Sequence, residues 1–371
     1  MHLRKKPWYL PWYDEHDELS QEQKVPGLVL ATKLLLEKHS QVIFAGDSTI
    51  RQLLFGWVGM LKALEEGFIV ENEVGTEWTS ERWMEEIMEG CPSSQSDWER
   101  KENQHLVGER CAYGDTQIIQ DFRGTSEDPE AMNIQFKYCD NKGGANLKNS
   151  VYHNGEAMEK KGGRRLVVVN FRTLHLLHYY PVRPFEDYVV LNGLMDEDKF
   201  VAFFEKELRD LLSVLDSWGG GTLVYKTTSA VCNSAYTGEY EEIMKSWEEG
   251  REYVDKKTGR AISRGECDSY VEASFPEGKW SEKGACLDTR LSMSGSSRMY
   301  DLEMAAFEKV VGGVNYPYNT DSFLVLLDAY DLTADNCDMT HDGRHFPKMS
   351  IALIYALSKG LTKLYGFYGA R

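Results

Sequence analysis

Four short apolar runs recur along the chain with helix-patterned segments between them: Val42-Ile43-Phe44-Ala45, Leu166-Val167-Val168-Val169, Leu223-Val224-Tyr225 and Phe323-Leu324-Val325-Leu326-Leu327. Strands that alternate with helices imply a doubly wound, mostly parallel sheet, because parallel neighbours must be joined by a crossover and a helix is the crossover that satisfies its own backbone. Such a sheet takes ligands beyond the carboxyl ends of its strands. At 371 residues and 42% hydrophobic content, the chain can bury a full α/β core as one large domain with insertions.

The pattern predicts strand 41–46 and helix 49–66, then strands near 116–121 and 133–138 whose short connection makes the second antiparallel to the first. Strand 165–170 follows. Helix Glu197–Trp218 carries Phe200, Phe203, Phe204, Leu208, Leu211 and Leu212 on one side, and Gly219-Gly220-Gly221 ends it before strand Thr222–Thr228. Helix Arg298–Val311, strand Ser322–Leu327 and closing helix Met349–Lys359 complete the series. Residues 1–40 read as an aromatic and proline-rich arm, Trp8 to Tyr13, with a packing helix from Leu28 to Glu37; residues 41–371 form the main domain. Two stretches interrupt it, an acidic one bearing Trp78, Trp83 and Trp98 over about 70–112 and one without a strong period over about 229–295. A loop as long as the second is expected to be functional, an active-site lid or an acceptor-binding insertion. It leaves the sheet edge that carries Ser48, so Tyr236, Tyr240, Trp247, Tyr270 and Trp280 are candidates for a ligand-stacking surface; the alternative is a stabilising flap.

The chemistry concentrates in two blocks. Gly46-Asp47-Ser48 closes the first strand, and Asp342-Gly343-Arg344-His345-Phe346-Pro347 lies near the C-terminus. A serine hydroxyl is a poor nucleophile until an imidazole takes its proton, and a carboxylate fixes the tautomer of that imidazole and stabilises the cation that forms. Ser48 would attack, His345 would act as base and then acid, and Asp342 would orient His345. The strand-to-helix junction adds unpaired N–H groups and a positive dipole end, both favourable to an oxyanion. Taken alone, Gly-Asp-Ser is also a turn composition in which Ser48 caps a helix.

Gly46-Asp47-Ser48-Thr49-Ile50-Arg51-Gln52 resembles the opening motif of the SGNH (GDSL-like) hydrolase superfamily, in the form of the PC-esterase branch that includes trichome-birefringence-like, fungal capsule O-acetylation and NXPE-like proteins. Asp342 to Pro347 is similar to that branch's last block, and Leu174-His175-Leu176-Leu177 with Pro181, after the strand ending in Asn170, to its central block. The resemblance implies a three-layer α/β/α, flavodoxin-like fold with a mostly parallel sheet and long loop insertions. It implies acetyl groups and carbohydrate acceptors, hence a glycan or polysaccharide O-acetyltransferase working through an acyl-serine, with a carbohydrate acetylesterase as the alternative and an inactive carbohydrate-binding relative as a third reading. An acetyl donor would be a co-substrate, with no bound cofactor and no metal.

Within that resemblance the oxyanion donors would be the N–H groups of Ser48 and Gly124 and the side chain of Asn170, and His175 competes with Asn170 for its role. A buried Asn170 that satisfies strand-end carbonyls is the other reading. Arg51 matches the branch's arginine, which could hold an acyl carbonyl or the Ser48 loop; a surface salt bridge is its plainer role. Asp338-Met339-Thr340-His341 is a second Asp-x-x-His, but the Gly, Phe and Pro of the family pattern select Asp342 and His345, which leaves His341 as a pocket-lining or solvated residue.

A net charge of −17 argues against nucleic acid or an anionic membrane as partner, since phosphate binding needs clustered Lys and Arg. No stretch is long and apolar enough to span a bilayer. The seven cysteines, Cys91, Cys111, Cys139, Cys232, Cys267, Cys286 and Cys337, contain no Cys-x-x-Cys pair, which disfavours zinc. Cys91 and Cys111 bracket one insertion and Cys232, Cys267 and Cys286 lie in or beside the other, where disulfides would brace loops without a core of their own. The family's address is the Golgi lumen or the extracellular space, which permits disulfides. The N-terminal residues lack an apolar signal region and no Asn-x-Ser/Thr acceptor occurs, so a cytoplasmic location stays open as the alternative.

Overall fold

The computed structural model describes residues 9–10, 39–50, 52–54, 69–70, 73–74, 117–123, 133–140, 164–171, 190–191, 194–195, 197–254, 256, 259–274, 279–280, 282, 284–289, 292–312, 322–340, 342–346, 349, 352–354, 356–357 and 360–361. Within them the chain is a mixed α/β structure built on a mostly parallel sheet. Its strands are β1 (Tyr9–Leu10), β2 (His39–Gly46), β3 (Gln117–Arg123), β4 (Asn133–Asp140), β5 (Arg164–Val169), β6 (Gly221–Lys226) and β7 (Ser322–Leu327), in the order β1-β7-β6-β5-β2-β4-β3. Every neighbouring pair is parallel except β3 and β4, the pair with the short connection. From β2 the chain builds β3 and β4 on one side, then crosses to β5 on the other and continues outward to β6. The strand order therefore reverses at β2, and the crevice outside its carboxyl end is where such a sheet takes ligands.

Both faces of the four central strands are buried. Ile43, Ala45, Val167, Val169, Leu223, Tyr225, Leu324 and Leu326 point to one face, where they share a core with α1 (Glu197–Ser217) and α5 (Met293–Val311). In α1 the apolar residues Phe200, Phe204, Leu208, Leu211 and Leu215 recur at helical spacing, and burial of each stabilises the fold by about 1.5–3 kcal/mol. The helix ends as Gly219 and Gly220 adopt positive φ, with Gly220 N–H on the Leu215 carbonyl and Gly219 N–H on that of Asp216. The alternate strand residues Val42, Phe44, Leu166, Val168, Val224 and Val325 face the other way and are equally buried. No helix among the described residues is long and apolar enough to cross a membrane.

Among the differences from the sequence expectation, three lie in the elements around the site. β6 stops at Lys226 and not at Thr228, since the Thr228 N–H is taken by the buried Glu303 carboxylate at 2.7 Å. α5 begins at Met293 and not at Arg298. Its first turn, Met-Ser-Gly-Ser, is poor in helix formers, and the Ser292 hydroxyl caps it by accepting from Gly295 N–H. The stretch expected to be irregular holds α2 (Glu239–Glu248), α3 (Arg264–Ser274), α4 (Ala285–Thr289) and a small hairpin, Tyr253–Val254 with Ala261–Ile262. These elements bury a core of their own from Tyr236, Tyr240, Ile243, Trp247, Tyr253, Ile262 and Val271. Tyr236, Tyr240 and Trp247 thus belong to that core and are not the open stacking surface expected of them; Trp280 packs partly buried against it. Cys267 and Cys286 join α3 to α4, whereas Cys232 pairs with Cys337.

Candidate active site

The carboxyl ends of β2, β5 and β6 lie side by side, with Ala45 in register with Val169 and Val169 with Tyr225. The chain turns from β2 into a helix whose residues 48–50 and 52–54 are described. Gly46 is needed at the turn: its φ is +153°, and a Cβ there would lie 2.2 Å from Asn170 Oδ1. Asp47 is 2% exposed, and one of its carboxylate oxygens accepts from Thr49 N–H at 2.9 Å, the Thr49 hydroxyl at 2.8 Å and Asn170 Nδ2 at 2.8 Å. Asn170 Oδ1 in turn accepts Asp47 N–H at 3.2 Å, and Asn170 N–H reaches the Ala45 carbonyl. The Asn170 side chain therefore braces the Ser48 turn, with its amide facing Asp47 and Thr49.

This bracing leaves Ser48 partly exposed at the start of the helix, where His345 meets it. Ser48 Oγ lies 2.7 Å from His345 Nε2, and His345 Nδ1 lies 2.6 Å from Asp342 Oδ2. A carboxylate only accepts, so Nδ1 carries the proton, and in the neutral ring Nε2 accepts from the serine hydroxyl. The Asp-x-x-His spacing has a local cause. Asp342 Oδ1 accepts the N–H groups of Arg344 at 3.0 Å and His345 at 2.8 Å, folding the loop so that Oδ2 meets the ring three residues on. The Thr340 hydroxyl braces the same loop, donating to the His345 carbonyl at 2.6 Å and accepting from Gly343 N–H at 3.0 Å.

Burial pushes the Asp342 carboxyl upward, but the hydrogen bond from His345, the charge of that ring when it is protonated, and the Arg344 guanidinium 3.5 Å away outweigh it and hold the group well below its ordinary value. Asp342 is therefore ionised at neutral pH, as an orienting carboxylate must be. Arg344 also lies 4.0 Å over the ring of Tyr240, which ties the Asp342–His345 loop to α2. On the other flank, Cys232 N–H donates to the Gly343 carbonyl at 2.8 Å, and the Cys232–Cys337 disulfide fastens the segment after β6 just upstream of the loop.

Of the residues singled out from the sequence, Ser48, Asp342, His345 and Asn170 come together; Gly124, Arg51, His175 and His341 lie outside the described residues. Sequence reasoning missed Thr49, Thr340, Arg344 and Lys226. Lys226 ends β6 and is 1% exposed, its ammonium 3.2 Å from Thr49 Oγ1. A lysine directly after an apolar strand, followed by Thr-Thr-Ser, was the available signal. Among the described residues no three His, Cys, Asp or Glu side chains gather as a metal site. The chain matches no protein-family model, and it has no significant match among curated proteins.

Proposed function

We propose that the protein is a serine-dependent acyl-ester enzyme acting on carbohydrate, a glycan or polysaccharide O-acetyltransferase that works through an acyl-serine on a three-layer α/β/α fold of the SGNH type. The observation that carries the serine chemistry is the continuous chain from Ser48 Oγ to His345 Nε2 at 2.7 Å and from His345 Nδ1 to Asp342 Oδ2 at 2.6 Å. Ser48 Oγ attacks the carbonyl carbon of an acetyl ester while His345 takes the hydroxyl proton. The tetrahedral oxyanion forms beside the Ser48 N–H, at the positive end of the helix. His345 then returns its proton to the departing donor group, leaving acetyl-Ser48. An acceptor hydroxyl next gives its proton to His345, attacks the acyl-serine and leaves as the new ester, and the serine regains its proton. A sugar hydroxyl as acceptor makes the enzyme a transferase; water makes it an acetylesterase.

The acetyl group and the carbohydrate acceptor rest on the motif resemblance. The same resemblance assigns the reaction to the Golgi lumen or the cell exterior, and the Cys232–Cys337 and Cys267–Cys286 disulfides suit an oxidising compartment. A fluorophosphonate should label Ser48 in the wild type and fail to label a folded Ser48→Ala variant, whose acyl turnover should fall by about 10⁴-fold or more. Acetyl transfer to a glycan panel, run beside release to water, then separates transferase from esterase. An unlabelled, well-folded wild type would remove the enzymatic reading and leave the inactive carbohydrate-binding one.

A further inference from the structure

The acyl-serine reading leaves one buried charge at the site without a task. Lys226 Nζ has three protons and three oxygen partners: Thr49 Oγ1 at 3.2 Å, the Thr227 carbonyl at 3.2 Å and Ser229 Oγ at 3.4 Å. Thr49 Oγ1 is shared. It accepts from Lys226 and from Asn170 Nδ2 at 3.1 Å, and spends its own proton on Asp47 Oδ1 at 2.8 Å. The Lys226–Thr49 bond thus joins Lys226 to the network of Asn170, Thr49 and Asp47, and Asp47 and Thr49 stand either side of Ser48.

Burying an ammonium is costly, and a neutral side chain of similar volume would complete the core without that cost. Burial alone pushes the Lys226 ammonium toward its neutral form, and the buried carboxylates of Asp47 and Glu303 oppose this. Burial prevails and holds the Lys226 pKa below its ordinary value, while Nζ is placed as a directed donor to Thr49 beneath the turn whose N–H faces the developing oxyanion.

Resting on the acyl-serine reading, we propose that Lys226 is a positioning residue for that reaction, acting through Thr49 and Asp47 to hold the Ser48 turn and its N–H in the geometry of the tetrahedral intermediate. Ser48 still reaches His345 without it, so substrate binding persists while the chemical step loses alignment.

The test is a double-mutant cycle in the full chain, read by steady-state turnover of an aryl acetate and by the rate of fluorophosphonate labelling. Lys226→Met keeps length and volume, Thr49→Val removes the shared hydroxyl, and Thr49→Ser restores it. Lys226→Met and Thr49→Val should each lower kcat by about 10- to 100-fold with KM changed little. The double variant should be no worse than either single one, and Thr49→Ser should stay near wild type. Losses that multiply in the double variant, or a folded Lys226→Met with wild-type kcat, would overturn the proposal. If Lys226→Met does not fold, the Thr49 pair decides: equal kcat in Thr49→Val and Thr49→Ser rejects it, and loss in Thr49→Val alone supports it. A wild type that resists labelling at Ser48 rejects the acyl-serine reading and this proposal together, whereas a labelled wild type with indifferent variants rejects only the role of Lys226.

Discussion

Gly46 is where a single hydrogen atom in place of a methyl group determines the site. Gly46→Ala would drive a Cβ into Asn170 Oδ1 at a positive φ, so the brace on Asp47 must open or the turn must shift. We expect a loss of about 1–3 kcal/mol by denaturant unfolding together with slower fluorophosphonate labelling of Ser48. Wild-type stability and labelling would mean that the turn accommodates a side chain. Asp342 makes a second residue-scale prediction, through pH. Its folded-state value lies below the unfolded one, so the unfolded chain binds more protons in the acid range, and the stability Asp342 contributes is present above an ordinary carboxylate value of about 4. It is lost as pH falls below that. The stability gap between wild type and Asp342→Asn should therefore be widest near neutrality and narrow below about pH 4; a gap that widens in acid would contradict the assignment. Ser48 and the Asp342-His345 pair were legible in sequence because each role demands a particular functional group at a particular spacing. Thr49, Thr340 and Lys226 were not, because a bracing hydroxyl or ammonium is defined by what it touches.

At the scale of elements, the two disulfides among the described residues make different contributions. Cys232–Cys337 fastens the segment after β6 close to the Asp342–His345 loop, which also hangs on the Cys232 N–H through the Gly343 carbonyl. Cys267–Cys286 only joins α3 to α4. Replacing either pair with serines should cost about 2–5 kcal/mol of stability. Replacing Cys232 and Cys337 should also lower turnover, by up to about 100-fold if the imidazole drifts by an ångström, whereas the Cys267 and Cys286 pair should leave turnover of folded protein near wild type. Steady-state assays on both double variants check this, and equal turnover in the two would show that the loop is held by its own hydrogen bonds. Strands β2, β5, β6 and β7 were readable because continuous apolar runs bounded by polar residues have few other solutions. The start of α5 was not readable, since its Ser and Gly first turn is stabilised by a cap and by packing on α1, not by propensity.

For the whole molecule, the segment over about 229–295 docks on the Asp342–His345 loop through Tyr240 under Arg344 and Tyr236 against Gly343. Its removal should therefore impair turnover of a small aryl acetate and of a large glycan alike. Selective loss on the glycan, measured side by side with the aryl ester, would instead return the segment to acceptor binding. The order of apolar runs sufficed to determine an α/β chain with a mostly parallel sheet, because burying several short strands between helices leaves few connections. It also sufficed to nominate Ser48 and the Asp342-His345 loop, which stand 297 residues apart when they meet. Only the tertiary structure decided that β2 is the point where strand order reverses, that Asn170 and Lys226 converge beneath the Ser48 turn, and that Cys232 chooses Cys337. Each of these depends on which strand ends become neighbours in space, and that is set by the packing of the whole sheet, which no local pattern encodes.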